Sequence, residues 1–397
     1  MTPSLPNAAS AQADQTASAD TTGFMTQVAR FAREVLAPRV AQWERERRTG
    51  RELARAAADL GLFRMEVPTE LGGLGLPFSA KCEVSELLGA IDYAYAFSLI
   101  NSQNVATRIA RMASPAVRAQ FLSGLMSGEL VGCTALTEPG MGSDFAAIQT
   151  RATRVAGGWR LSGRKAWITN AVDADVILMF AQTAPELGAA GVAGFVIDAH
   201  RAGFARESAY AMAGQHAIGA GGFTLDGYLA RDDEMHLPPG QGFKAAMTSI
   251  NGARTYVAAM CCGMVGEALR IARGHGLSRQ TFGKPLFDHQ GWRWRLAEAS
   301  ADLAACRLMV AEAARVIESG ADAQTLAAQT KLQSTRMAER HLPALAQSMG
   351  AEGLLEHHPF GRHLVAARMA SFTDGSNEML LERISAGIRQ SNSHQIQ

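Results

Sequence analysis

The chain is short of cysteine, of aromatic residues and of any excess of charge, and these shortages narrow the classes of protein it could be. Its five cysteines, Cys82, Cys133, Cys261, Cys262 and Cys306, are odd in number and lack metal-ligand spacing. Cys261 and Cys262 are adjacent within a helical pattern, which disfavours a bridge between them. No disulfide scaffold or metal site is expected, and a reducing cytoplasm is the expected setting. A net charge of +1 leaves no basic footprint for nucleic acid or for a membrane surface. No apolar run approaches the length of a membrane span. There is no G-x-G-x-x-G between a strand and a helix and no phosphate-binding P-loop, which excludes a Rossmann architecture. Residues 1–22 carry no Lys, no Arg and no apolar block, so they read as a disordered tail rather than a secretion signal.

What remains is a globular composition, 47% apolar and 19% charged. A chain of 397 residues exceeds one ordinary hydrophobic core, so two or three subdomains are expected. From Phe24 the texture is helical: Phe24, Val28, Phe31 and Val35 form one apolar stripe, and Pro38 kinks or restarts the helix. Leu60 to Phe63 and the Gly72-Gly73-Leu74-Gly75 run mark a stop and a turn, and helical texture resumes from Cys82 to about Met126. It changes after Leu130. Thr153 to Ala156, Gly157-Gly158 and Trp159 to Leu161 read as a β-hairpin, and Val176–Phe180 and Val192–Ile197 as buried strands. From Gly242 helices return, with Leu296, Ala299, Leu303, Cys306, Val310, Ala313 and Ile317 spaced as the seam of a bundle helix. The expected organisation is a tail (1–22), a helical domain (23–130), a β domain (131–241) and a helical bundle (242–397).

Four ordered stretches carry chemistry. The first is Ala135-Leu136-Thr137-Glu138-Pro139-Gly140-Met141-Gly142-Ser143-Asp144, a turn whose glycines and short hydroxyls let backbone amides approach a polar ligand. The second, Trp167-Ile168-Thr169, sets an indole beside a β-branched pair, a wall for a flat ring. The third is Arg279-Gln280-Thr281-Phe282-Gly283-Lys284 with His289-Gln290 behind it. The fourth is Gln347 to Gly353 followed by Phe372-Thr373-Asp374-Gly375-Ser376-Asn377-Glu378. In this order and spacing they resemble the acyl-CoA dehydrogenase family, and the resemblance runs from about Phe24 onward.

The resemblance implies an α+β fold with an N-terminal helical domain, a central β domain and a C-terminal four-helix bundle. It implies FAD, held by Leu136, Thr137, Gly142, Ser143, Trp167 and Thr169 around the ring. Arg279, Thr281, Phe282, Gln290, Gln347 and Gly350 would serve the dinucleotide arm, the Arg279 guanidinium being suited to a pyrophosphate. Ser376 and Glu378 lie near that arm. Because Arg279, Phe282 and Gln290 serve a neighbouring subunit in the family, a homotetramer, at least a homodimer, is implied. Taken alone, Arg279 reads as an ordinary solvated helix-face residue.

The implied reaction is α,β-dehydrogenation of an acyl thioester, carried by CoA or an acyl carrier protein. A carboxylate takes the α-proton and flavin N5 takes the β-hydride. The base is usually a Glu directly before the Gly of the last motif; here that position is Asp374, and the family's other base position is Ala253. An Asp reaches roughly 1–1.5 Å less far than a Glu, while proton transfer needs near contact. Asp374-Gly375 also reads as a plain turn, and Glu378 is the second candidate base. Ser143, Asn251, Arg254 and Gly375 are the candidate substrate contacts, with a helix cap at Asn251 the competing reading. Val365-Ala366 replaces the family's Arg-Asp pair. The polar run Asn101-Ser102-Gln103-Asn104 points to a short or polar acyl group, and a solvated helix face explains it equally well. Two alternatives stay open. One is a flavin oxidase or monooxygenase with a non-thioester substrate, since nitroalkane oxidases resemble this family and use Asp; the other is a flavin-retaining scaffold without turnover. An electron acceptor is required, and its identity stays open.

Overall fold

The computed structural model describes residues 21–394. The expected tail lies outside the described residues up to position 20, and the chain is already helical at Thr21. Helix α1 (described from 21 to 30) loosens into a π-turn over Phe31–Leu36, where the Ala37 amide bonds the Ala32 carbonyl. A 3-10 turn carrying Pro38 follows, and helix α2 (Val40–Glu46) restarts the run. Helix α3 (Arg51–Asp59) ends just before Gly61, which has φ +83°. Then come α4 (Phe78–Gly89), α5 (Tyr93–Met112) and α6 (Pro115–Met126). Asp92 caps α5 by accepting from the Tyr95 amide at 2.8 Å, and Ser114 followed by Pro115 opens α6.

Strands β1 (Gly132–Ala135), β2 (Arg151–Val155), β3 (Gly158–Ile168), β4 (Val176–Gln182), β5 (Val192–Asp198), β6 (Phe204–Arg206), β7 (Gly221–Arg231) and β8 (Met235–Leu237) form one sheet. Its order is β6-β7-β3-β2-β4-β5-β8, with β1 parallel to β4. The hairpin expected around Gly157 is β2–β3, and the Val176 and Val192 runs are β4 and β5. Every residue of β4 is buried, which explains its unbroken apolar run. Val176 and Leu178 pack with helices α5 and α6, while Ile177, Met179 and Ala181 face the interior of the β domain.

The chain then enters α7 (Gly242–Ser278) and, past a two-strand ribbon of β9 (Gln280–Thr281) and β10 (Lys284–Pro285), runs through α8 (Gln290–Glu318) and α9 (Gln324–Ser348). Helices α10 (Phe360–Phe372) and α11 (Asn377–His394) pack on α9. One expectation needs correction. Helix α7 contains an 18-residue window of mean hydropathy 1.2, the length and polarity of a membrane span, but 72% of that window is buried inside the fold. It is the central helix of a protein core. All five cysteines are buried and free.

The two helical blocks share one hydrophobic core. A single cluster runs from Val28 through Ile100 and from Ala253 through Ala370. Two glycines set the approach of α4 to α7. A Cβ on Gly89 would stand 2.8 Å from the Met260 Cα, and one on Gly263 would overlap the Glu86 carbonyl oxygen. Gly263→Ala is therefore expected to force the helices apart and cost about 1–3 kcal/mol, as overpacked cores do. The check is a lowered midpoint in thermal unfolding.

Candidate functional site

A cleft of about 1520 Å³ lies where α5, the β domain, α7 and the α10–α11 turn meet. Leu136, Thr137, Gly142 and Ser143 line it, as do Trp167, Thr169, Arg254, Asp374, Gly375 and Ser376. The structure thus brings the first, second and fourth motifs to one place.

The loop after β1 is held from beneath. Glu138 and Met141 exchange two backbone hydrogen bonds of 3.0 Å, closing the Pro139-Gly140 turn. The Glu138 carboxylate is buried and accepts from the Gln149 amide at 2.8 Å, the Thr150 amide at 3.0 Å, the Thr150 hydroxyl and the Lys165 ammonium at 2.9 Å. Lys165, fully buried on β3, also donates to the Leu136 carbonyl at 3.1 Å. Burial pulls the Lys165 ammonium down to about 8 against the pull of Glu138. For Glu138, burial acts upward, but Lys165 and the hydrogen bonds outweigh it and hold the carboxyl below its usual range. In the sequence Glu138 lay within the first motif without a role of its own, and Lys165 lay outside every motif. Their separation of 27 positions gives no local pattern, and only the β1–β3 geometry pairs them.

Trp167 reaches the cleft because β3 carries a bulge. Between Lys165 and Ile168 the register against β7 slips, and Trp167 takes φ +57°. A left-handed backbone is costly for a bulky residue, and here it turns the indole out of the sheet to 65% exposure. Tyr210 lies against it with ring centroids 4.5 Å apart. A Cβ on Gly140 or Gly142 would meet nothing within 4 Å, so the opposite loop leaves open space. An exposed indole facing an open, amide-rich loop fits a flat, polar-edged ring such as a flavin.

Asp374 also lines the cleft, from the turn between α10 and α11. Its φ is +53° and that of Gly375 is +98°, so the chain reverses in the left-handed region. The turn's carbonyls are secured by long-range donors: Arg254 Nε donates to the Asp374 carbonyl at 3.2 Å and Lys331 Nζ to the Gly375 carbonyl at 2.6 Å. The carboxylate is left over, and its Oδ2 is buried with no hydrogen-bond partner. Burial raises the Asp374 pKa above its ordinary value, with Lys331 and then Arg254 opposing. Lys331 is itself pulled down to about 8, chiefly by burial. Lys331 was another residue without a local signal.

The remaining candidates lie elsewhere. Glu378 is exposed and is not among the residues lining the cleft, which removes it as a second base. Asn251 is inside α7, which begins at Gly242, so it caps no helix start; its Oδ1 accepts from Arg254 at 3.4 Å and it does not line the cleft. Of the polar run on α5, Asn101 and Asn104 line the cleft. Ser102 accepts from the Gly132 amide, and Gln103 donates to Glu66 and Thr107. The third motif forms the β9–β10 ribbon, away from the cleft of its own chain. Arg279, Gln290, Gln347 and Gly350 are exposed, Thr281 is half-buried, and Phe282 is 93% exposed at the tip.

Removing the carboxylate beneath the loop tests its role. Glu138→Ala leaves Lys165 buried without a counter-charge and is expected to cost about 3–5 kcal/mol. Hydrogen-exchange mass spectrometry should show faster exchange over 136–149.

Comparison with known proteins identifies the domains. The acyl-CoA dehydrogenase N-terminal domain matches residues 18–129, the middle domain 133–228 and the C-terminal domain 240–389. The mitochondrial short-chain specific acyl-CoA dehydrogenase of Bos taurus is 30% identical over 351 residues, covering 88% of this chain and 85% of that protein. Butyryl-CoA dehydrogenase from Megasphaera elsdenii has a TM-score of 0.89 at 26% identity, covering 98% of this chain and 100% of that one. A glutaryl-CoA dehydrogenase from Mycobacterium smegmatis, in complex with FADH2, has a TM-score of 0.87 at 25% identity, covering 93% and 94%. The chain belongs to the acyl-CoA dehydrogenase family and is an FAD-dependent flavoenzyme that dehydrogenates acyl-CoA.

Proposed function

We propose that Asp374 is the base of this enzyme, removing the α-proton of an acyl-CoA thioester. The observation that carries this is the unpartnered, buried Oδ2 of a carboxylate in the cleft, opposite the Trp167 wall. FAD, when held by Trp167, Thr169 and the 136–143 loop, supplies the acceptor for the β-hydrogen and its electron pair. The chain's own part is to place and tune the base. Arg254 and Lys331 hold the two carbonyls of the turn, so the shorter Asp side chain projects from a fixed backbone. Burial raises the basicity of the carboxylate, and the same two cations oppose its neutralisation. A carboxylate with no internal partner is free to accept a proton from substrate.

We also propose that a second copy of the chain covers the β9–β10 ribbon, in a homotetramer. An aromatic side chain as exposed as Phe282, beside Arg279, marks a surface suited to a partner. A mass near four chains in light scattering is expected. Phe282→Asp should lower both that mass and the FAD content. A cytoplasmic setting is proposed with it, in keeping with five free, buried cysteines.

Anaerobic bleaching of the flavin band by acyl-CoA thioesters tests the base. Asp374→Asn is expected to slow bleaching by about 10²–10⁴-fold while FAD stays bound, and Asp374→Glu to retain most of the rate. The pH dependence has a definite sign. The ionised carboxylate is the base and its pKa is raised, so the rate should fall on acidification at a pH above that of an ordinary Asp. Unchanged bleaching in Asp374→Asn would remove Asp374 from this role. Bleaching by no thioester in a flavin-loaded protein would move the reading to a non-thioester substrate.

A further inference from the structure

Helix α5 presents Phe97, Asn101, Asn104 and Arg108 to the cleft, at steps of four, three and four along one face. The last of these is anomalous. Among the described residues, the Arg108 guanidinium has no hydrogen bond and no ion pair, although the residue is half-buried in the cleft wall and burial lowers its pKa. Its electrostatic neighbours are the Tyr256 phenol and the His236 imidazole, the latter driven to about 3 by burial first and Arg108 second. A neutral imidazole offers no counter-charge.

The surrounding charges do not compensate it. Lys81 is buried and spent on Glu66, with a further bond to Asn104 at 2.8 Å. Arg111, also lining this end of the cleft, donates to the Glu66 backbone carbonyl at 3.2 Å. The Glu66 carboxylate is thus already claimed by Lys81, and no carboxylate acts on Arg108. A guanidinium stays charged throughout the working range, so an uncompensated one in a cleft is unfavourable until an anion joins it.

The position suggests which anion. The Tyr256 hydroxyl accepts from Asn104 at 3.3 Å and senses the charges of both Asp374 and Arg108. Arg108 thus lies one helical turn beyond Asn104, and Tyr256 is within electrostatic reach of both Arg108 and Asp374. A group reaching it is the far end of a short acyl chain whose α-carbon is at Asp374. The planar fork of a guanidinium matches a carboxylate.

We propose that Arg108 is a specificity subsite for a carboxylate at the distal end of the acyl group, so that the substrate is the CoA thioester of a short dicarboxylic acid. The assignment rests on the cleft being the thioester site. A phosphate of the CoA arm shares the same chemistry, and the test separates the two.

Non-reactive thioether analogues, which lack the acidic α-proton, are titrated into the flavin-loaded enzyme and read by perturbation of the flavin spectrum. Pairs matched in length carry either a terminal carboxylate or a terminal methyl, each on CoA and on pantetheine. Wild type should bind the carboxylate member of each pair more tightly. Arg108→Met should reduce that preference by about 30-fold or more, and Arg108→Lys should restore part of it. Equal binding of the two members by wild type overturns the proposal, even if Arg108→Met fails to retain FAD. So does Arg108→Met weakening both CoA ligands equally while leaving the pantetheine ligands untouched, the result a phosphate site would give. Because the analogues cannot be dehydrogenated, these outcomes are independent of whether Asp374 is the base.

Discussion

Strand β1 pairs with β4 on one side only, and side chains of α5 bond amides that its edge would otherwise leave open. The Gly132 amide donates to Ser102 Oγ at 2.9 Å and the Thr134 amide to Asn101 Oδ1 at 3.2 Å. Just beyond β3, the Asn170 side chain donates to the Ser98 and Gly132 carbonyls, both at 3.0 Å, and accepts from the Ser98 hydroxyl at 2.6 Å. Buried polar groups must find partners, so this joint admits few alternative dockings of sheet on helix. Cleft width, and with it the distance from the Trp167 wall to Asp374, follows from that docking.

On the helical side the constraint is steric. Because the two helical blocks share one core, with glycines at the α4–α7 contact, the N-terminal wall of the cleft cannot drift relative to the C-terminal turn carrying Asp374. The proposed base, Asp374, is one methylene shorter than the family's usual Glu and leaves less room for error. Long-range clamping of its backbone by Arg254 and Lys331 is a physical answer to that shortness.

Charge in the cleft is distributed unevenly. Lys165 and Glu138 compensate each other beneath the loop after β1, and Lys81 and Glu66 do so beside α5. Asp374 faces two cations and keeps a free oxygen, while Arg108 faces none of the opposite sign. Complete pairs hold structure, and incomplete ones are where a ligand can contribute the missing partner.

The sequence by itself was enough for the order of helices, sheet and helices, and for the motifs holding Thr137, Trp167 and Asp374. Those signals are local: alternating apolar runs, Gly-rich turns and short fixed spacings. The core was partly legible for the same reason, as with the α8 seam, whose residues from Leu296 to Ala313 are buried. Tertiary structure alone decided that the helical blocks share a core, that α7 is a core helix despite its span-like hydropathy, and that Glu378 stands outside the cleft while Asp374 lines it. It also decided the pairings Glu138 with Lys165 and Lys331 with the Gly375 carbonyl, and the lack of any partner at Arg108. A pairing between distant positions leaves no periodic trace in a single chain, and the absence of a partner leaves still less. Both exist only once folding has set which groups are close enough to compensate one another.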